Sequence, residues 1–178
     1  MNKHIRFLAV FLAAAFSVSS LLAAPSVRLT GDNAEVVIAK DAPKAVRFAA
    51  EEMTNFLAQA FGKVVPLTTE PTDGRVSIVL GDNAWSRAAG VDVSGLVRDG
   101  FVLKTDAGRV YIAGKDDPKK NPRHVLDNGG WGSVVFERAT LFGVYEFLER
   151  YVGVRFYFPG ELGTIVPKRA GSSSPATR

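Results

Sequence analysis

Three pairs of carboxylates in this 178-residue chain could do acid–base work: Asp116 with Asp117, Glu146 with Glu149, and Glu51 with Glu52. Glycoside hydrolysis uses two such groups, held about 5 to 9 Å apart across the scissile bond. All three pairs have a second reading as solvated surface charge, because Asp and Glu are mostly exposed. Glu146 also stands four residues before Arg150, the spacing of a helix-stabilising ion pair. A different chemistry is offered by Trp131, set in the run Gly129-Gly130-Trp131-Gly132. A flat aromatic face in a polar loop can stack on a sugar ring, and Arg123, His124, Asp127 and Asn128 lie close in sequence to supply hydrogen bonds. These five residues are the candidate substrate-binding set. The alternative is that Trp131 folds back as the loop's own apolar anchor, as large aromatics commonly do.

Other chemistries are excluded by composition and spacing. There is no Cys and there are only two His, so no disulfide framework, thiolate nucleophile or Cys-based metal site is available. His124 is the single His beyond the first 24 residues, which leaves no multi-His metal site. No Gly-x-Ser-x-Gly elbow, phosphate-binding Gly-x-x-x-x-Gly-Lys-Ser/Thr loop or His-Glu-x-x-His helix occurs. The Gly129–Gly132 run lacks dinucleotide spacing and follows a charged loop rather than a strand. No catalytic residue, metal ligand or cofactor is assigned. The 22 Lys and Arg are scattered, so the net charge of +4 describes no stripe for nucleic acid.

The elements that must position these residues follow from periodicity. Val46, Ala49, Ala50, Met53, Phe56, Leu57 and Ala60 recur at helical spacing. Asp41 is placed to cap that helix, Pro43 suits its first turn and Gly62 its end. A second amphipathic helix carries Leu141, Val144, Tyr145, Leu148 and Val152 on one face and stops at Gly153. Strands are expected at 27–30 and 35–39, paired as a hairpin or successive. Others are expected at 64–68, at 75–80, and in a hairpin of 100–105 with 109–113 around Asp106-Ala107-Gly108. Asn83 or Asp82 is placed to cap a short helix to Ala89, with Trp85 in its core face. The stretch 114–136 is a long polar loop. The segment 154–158 reads as an aromatic strand with Phe156 and Phe158 facing the core, and 164–167 as a last short strand. This order predicts an α/β (α+β) two-layer sandwich: a mixed β-sheet with two long amphipathic helices on one face.

Residues 1–24 read as a secretory signal. Lys3, His4 and Arg6 precede an uncharged apolar run from Phe7 to Val18 and then small residues up to Ala24. The run is shorter than the ~20 residues of a spanning anchor. Export to the periplasm or outside the cell follows, without a stable membrane anchor after cleavage. The expected organisation is signal peptide 1–24, one domain at 25–168, and a disordered tail or truncated linker at 169–178.

One resemblance covers roughly residues 27–168. It is carried by the long segment from Ala139 to Lys168, above all Gly153-Val154-Arg155-Phe156-Tyr157-Phe158-Pro159-Gly160. Ala45 to Met53, Ile78 to Asp82 and Asp99 to Val102 add to it. Together they resemble the N-terminal domain of bacterial α-glucuronidase-like and β-N-acetylhexosaminidase-like glycoside hydrolases, in the variety that precedes a glycosidase-like domain of unknown function. The resemblance implies an α/β domain in extracytoplasmic carbohydrate metabolism. It implies that the catalytic carboxylates belong to a following (β/α)8 barrel, the expected partner, so none is carried onto this chain. The leading expectation is an exported, non-catalytic accessory domain of such an enzyme. The alternatives are a stand-alone carbohydrate-binding or interaction module, binding polysaccharide or oligosaccharide through Trp131, and a small hydrolase working through loop carboxylates.

Overall fold

The computed structural model describes residues 26–124, 135–169 and 172–174. Trp131, Asp127, Asn128 and the signal segment lie outside them. The main sheet has five strands: β2 (Ala34–Val37), β3 (Leu67–Thr68), β4 (Val76–Leu80), β5 (Phe101–Asp106) and β6 (Arg109–Gly114). Their order across the sheet is β3-β2-β4-β6-β5. The pairs β2/β3, β2/β4 and β4/β6 are parallel, while β5 joins β6 antiparallel. The sheet is therefore mixed, as expected. The β5–β6 turn has positive φ at both Ala107 (46°) and Gly108 (78°), the geometry whose twist matches a two-residue hairpin.

Two helices cover one face. α1 (Lys44–Phe61) buries Val46, Ala49, Ala50, Met53, Leu57 and Ala60 and ends on Gly62 in the left-handed region. α3 (Ala139–Phe147) continues through a π-helical turn, Leu148–Val152, and ends the same way on Gly153. Alternation in the strands sends Ile78, Leu80, Val110 and Ile112 into this helix-covered core. Val37, Val79, Tyr111 and Ala113 point the other way. There they meet Trp85, Ala89, Val91 and Val93, which belong to or follow α2 (Ala84–Ala88). The second face is thus covered as well, by a short helix and an irregular segment with too little periodicity to stand out.

Several local expectations change. Of the two readings of 27–30 and 35–39, successive strands rather than a hairpin is the one observed. β1 (Val27–Leu29) instead pairs antiparallel with β9 (Ser172–Ser174), so part of the segment read as a tail lies in a strand. Asp41 does not cap α1: the cap position is Pro43, and no side chain bonds there. The aromatic strand shortens to β7 (Arg155–Phe156), paired with β8 (Thr164–Ile165). Phe156 is packed edge-on between Phe56 and Tyr145, with ring centroids 5.2 Å from each. Phe158 is 57% exposed and is not a core residue. The chain turns at Pro159-Gly160 before Phe158 can reach the core. Trp85 is half-buried against the smaller apolar cluster.

Candidate functional site

β2 leads into α1 and β4 leads into α2, and the two helices pack on opposite faces of the sheet. The two loops therefore part at the carboxyl ends of neighbouring parallel strands. In open α/β sheets this is where a crevice forms and ligands bind. Here it holds a cavity of about 810 Å³, lined by residues 39–43, 81–85 and 114–116, among others.

Local sequence builds each wall. Asn83 caps α2, accepting from the Trp85 and Ser86 amides at 3.0 and 3.1 Å, while Ser86 Oγ accepts from the Asn83 amide at 2.9 Å. That reciprocal cap places Trp85 in the first turn, on the crevice. Gly81 has φ of +87°, and a Cβ there would lie 3.0 Å from Val46 Cγ1. Glycine thus serves both the turn and the close approach of α1. Arg47 holds the opposite loop, its Nε donating to the Ala42 carbonyl at 3.0 Å and its guanidinium reaching the Lys40 carbonyl.

Asp116 closes the third side. Residues 115–117 pair with 137–139 through Ala139 N to Lys115 O at 3.0 Å and Asp117 N to Glu137 O at 2.8 Å. This seats Asp116 against the start of α3, where it accepts from the Thr140 amide at 3.2 Å and hydroxyl at 2.5 Å. Burial raises its carboxyl to about 6 against the lowering effect of these bonds, and nearby Glu137 and Asp82 add to the rise. The sequence pairs Asp116 with Asp117 as neighbours, but the fold gives them separate tasks. Asp117 folds back on the Lys119 and Lys120 amides at 2.8 and 3.0 Å, and those bonds hold its carboxyl below the usual range.

The other carboxylate pairs also divide. Glu51 meets Arg123 Nη2 at 2.5 Å, and Glu52 accepts from the Tyr145 hydroxyl at 2.8 Å. Glu146 pairs with Arg150 at 3.2 Å, the i,i+4 contact expected from spacing. Of the candidate binding set, Arg123 and His124 are described. Arg123 also lies 5.3 Å from the centre of the Phe48 ring, so the start of that loop is fastened to α1. His124 has an interaction of its own. Among the described residues no group of three or more His, Asp or Glu is placed to hold a metal ion.

A second concavity, about 960 Å³, lies on the α1–α3 side. Its floor is Phe56, Tyr145, Phe156 and Phe158, and Glu52, Glu149 and Glu161 stand among its walls. Burial and the neighbouring Glu52 push the Tyr145 hydroxyl well above its ordinary value, so it stays a hydrogen-bond donor. Beside it the turn carries Tyr157, Leu162 and Ile165 at 67%, 93% and 55% exposure.

Sequence reasoning missed the crevice. Its signal was a Gly-Asp-Asn triplet ending one buried strand and Gly-Lys-Asp ending the next. That meaning appears only once β4 and β6 are known to run parallel. No protein-family model matches the chain, and no curated protein matches it. Among solved structures it is similar to a family GH115 4-O-methyl-α-glucuronidase with specificity for decorated arabinogalactans. The identity is 14% and the TM-score 0.44, over 83% of this chain and 18% of that one. The chain thus spans less than a fifth of that structure's length.

Proposed function

We propose that this chain is an exported, non-catalytic accessory domain of a carbohydrate-degrading glycoside hydrolase, and that it docks on the catalytic domain through the 156–165 face. One observation carries this reading: Tyr157, Phe158, Leu162 and Ile165 are all more than half exposed within nine residues. An apolar surface of this kind, rimmed by polar groups, is the usual mark of a protein contact. The same residues belong to the segment that carries the resemblance to glycoside-hydrolase N-terminal domains. Export is supported by the pattern of residues 1–24, and the periplasm or the cell exterior is the proposed location.

The test is to isolate the native product from source cells with an antibody raised against this chain. Intact mass and glycosidase turnover are then measured on the isolate. The expected result is glycosidase activity that travels with the chain, on the same polypeptide or in a complex. An isolate containing only this domain, with no such activity, overturns the proposal.

A further inference from the structure

We propose that the crevice at the carboxyl ends of β2, β4 and β6 is a binding site for a neutral pyranose ring. This goes beyond docking, since the crevice lies away from the 156–165 face. The choice of a sugar over other neutral polar ligands rests on the carbohydrate reading above.

Size comes first. About 810 Å³ lies within the range of small-molecule clefts. Chemistry comes second. Trp85 supplies a half-buried aromatic wall. Asp116 has a carboxylate with about four acceptor positions, and Thr140 occupies two of them. The remaining lone pairs suit sugar hydroxyls. Lys40 stands exposed on the same lining and can donate. Pro43 and Val46, from the first turn of α1, also line the crevice, and no side chain caps that turn. Hydroxyl groups, which donate and accept, match such mixed walls.

Charge decides against acidic sugars and phosphates. Arg87 is already paired with Asp82 at 2.8 Å, and the Lys115 ammonium donates to the Leu96 carbonyl at 2.7 Å. Asp41, Glu70, Asp116 and Glu137 remain on the lining against Lys40 and Lys115, whose ammonium keeps its charge on a neutral carbonyl, so carboxylates outnumber cations. A uronate or phosphate entering there meets net repulsion.

The experiment is an NMR titration of the full chain, freed of its signal segment, following the Trp85 indole and the Gly81 and Gly114 amides. The probes are glucose, galactose, xylose and N-acetylglucosamine, with glucuronate and inorganic phosphate as anionic comparisons. At least one neutral sugar is expected to give saturable shifts confined to these signals. Trp85→Ala and Asp116→Asn are each expected to weaken it about tenfold or more. Asp116→Asn is expected to retain the fold, which its unfolding curve checks, so its result stands even if Trp85→Ala destabilises α2. No saturable shift with any neutral sugar overturns the proposal. So does tighter binding of glucuronate or phosphate, or undiminished binding by Asp116→Asn. None of these results bears on docking, whose readout is the native isolate.

Discussion

Asp116→Asn should make the domain more stable at neutral pH and lose that advantage in acid. The folded protein raises this carboxyl from 3.8 to about 6. The native state therefore holds its proton more tightly than the unfolded chain does. Stability from this group is complete below pH 3.8 and is lost as pH rises through 6. At 1.36 kcal/mol per unit, the loss at pH 7 is about 3 kcal/mol. Asparagine cannot ionise and escapes it. Its Nδ2 must donate to Thr140 Oγ1, as a protonated Asp116 would. That hydroxyl already accepts from the Gly114 amide at 3.1 Å and has a second lone pair for the purpose. The rise to about 6 is already set against the Thr140 bonds, so turning the hydroxyl proton away adds no further cost. A gain of about 3 kcal/mol is thus expected at pH 7, falling below about 1 kcal/mol near pH 4. Urea unfolding of both proteins at several pH values between 4 and 7 reads the difference, and unchanged slopes would confirm comparable denatured states. A difference that is flat with pH, or that shrinks as pH rises, would refute the argument.

Gly143→Ala should destabilise, because a Cβ there would lie 2.5 Å from Ile112 Cγ2 and 3.1 Å from the Phe101 ring. Overpacking of about 1–3 kcal/mol outweighs the better helix propensity of alanine, and a fall in thermal midpoint checks it. Asn83→Ala removes the acceptor for two amides of α2 and should cost about 1–2 kcal/mol in chemical denaturation. Phe158→Ser combined with Leu162→Ser should leave the unfolding midpoint nearly unchanged while raising the solubility limit. A large drop in midpoint would mean that these exposed side chains hold the domain itself.

The long periodic elements were legible because their apolar residues repeat over many turns. α1 ended at the expected Gly62, its cap position fell two residues after the expected Asp41, and the β5–β6 hairpin followed from its turn residues. Asn83 as a cap and Glu146 with Arg150 as a pair were legible because both interactions are local. What stayed hidden depends on distant partners. Glu35 looks like a solvent-facing strand residue, yet it is fully buried, accepting from the Thr72 amide and Ser77 hydroxyl at 2.7 Å each. Burial alone would raise that carboxyl, but these bonds and Arg75 bring it below its ordinary value. Both bonds fall on Oε1 and come from residues 37 and 42 positions away, which no window of sequence reveals, while Oε2 is buried without a hydrogen-bond partner among the described residues. Phe158 was misread because alternation was carried past the point where Pro159 and Gly160 turn the chain. Asp116 looked like loop charge because its burial comes from α3, more than twenty residues onward.

The order of the main sheet also governs how the molecule behaves in a crowd of its own copies. Its outer strands are β3 and β5. β3 is two residues long, too short to template a neighbour. β5 runs for six residues with one side unpaired in this sheet, enough for a foreign strand to add. Lys104 and Asp106 lie on it and approach each other at 3.8 Å, and charge along an edge discourages such addition. Strand addition to the main sheet, where it occurs, should therefore begin at β5, and removing Lys104 should hasten it.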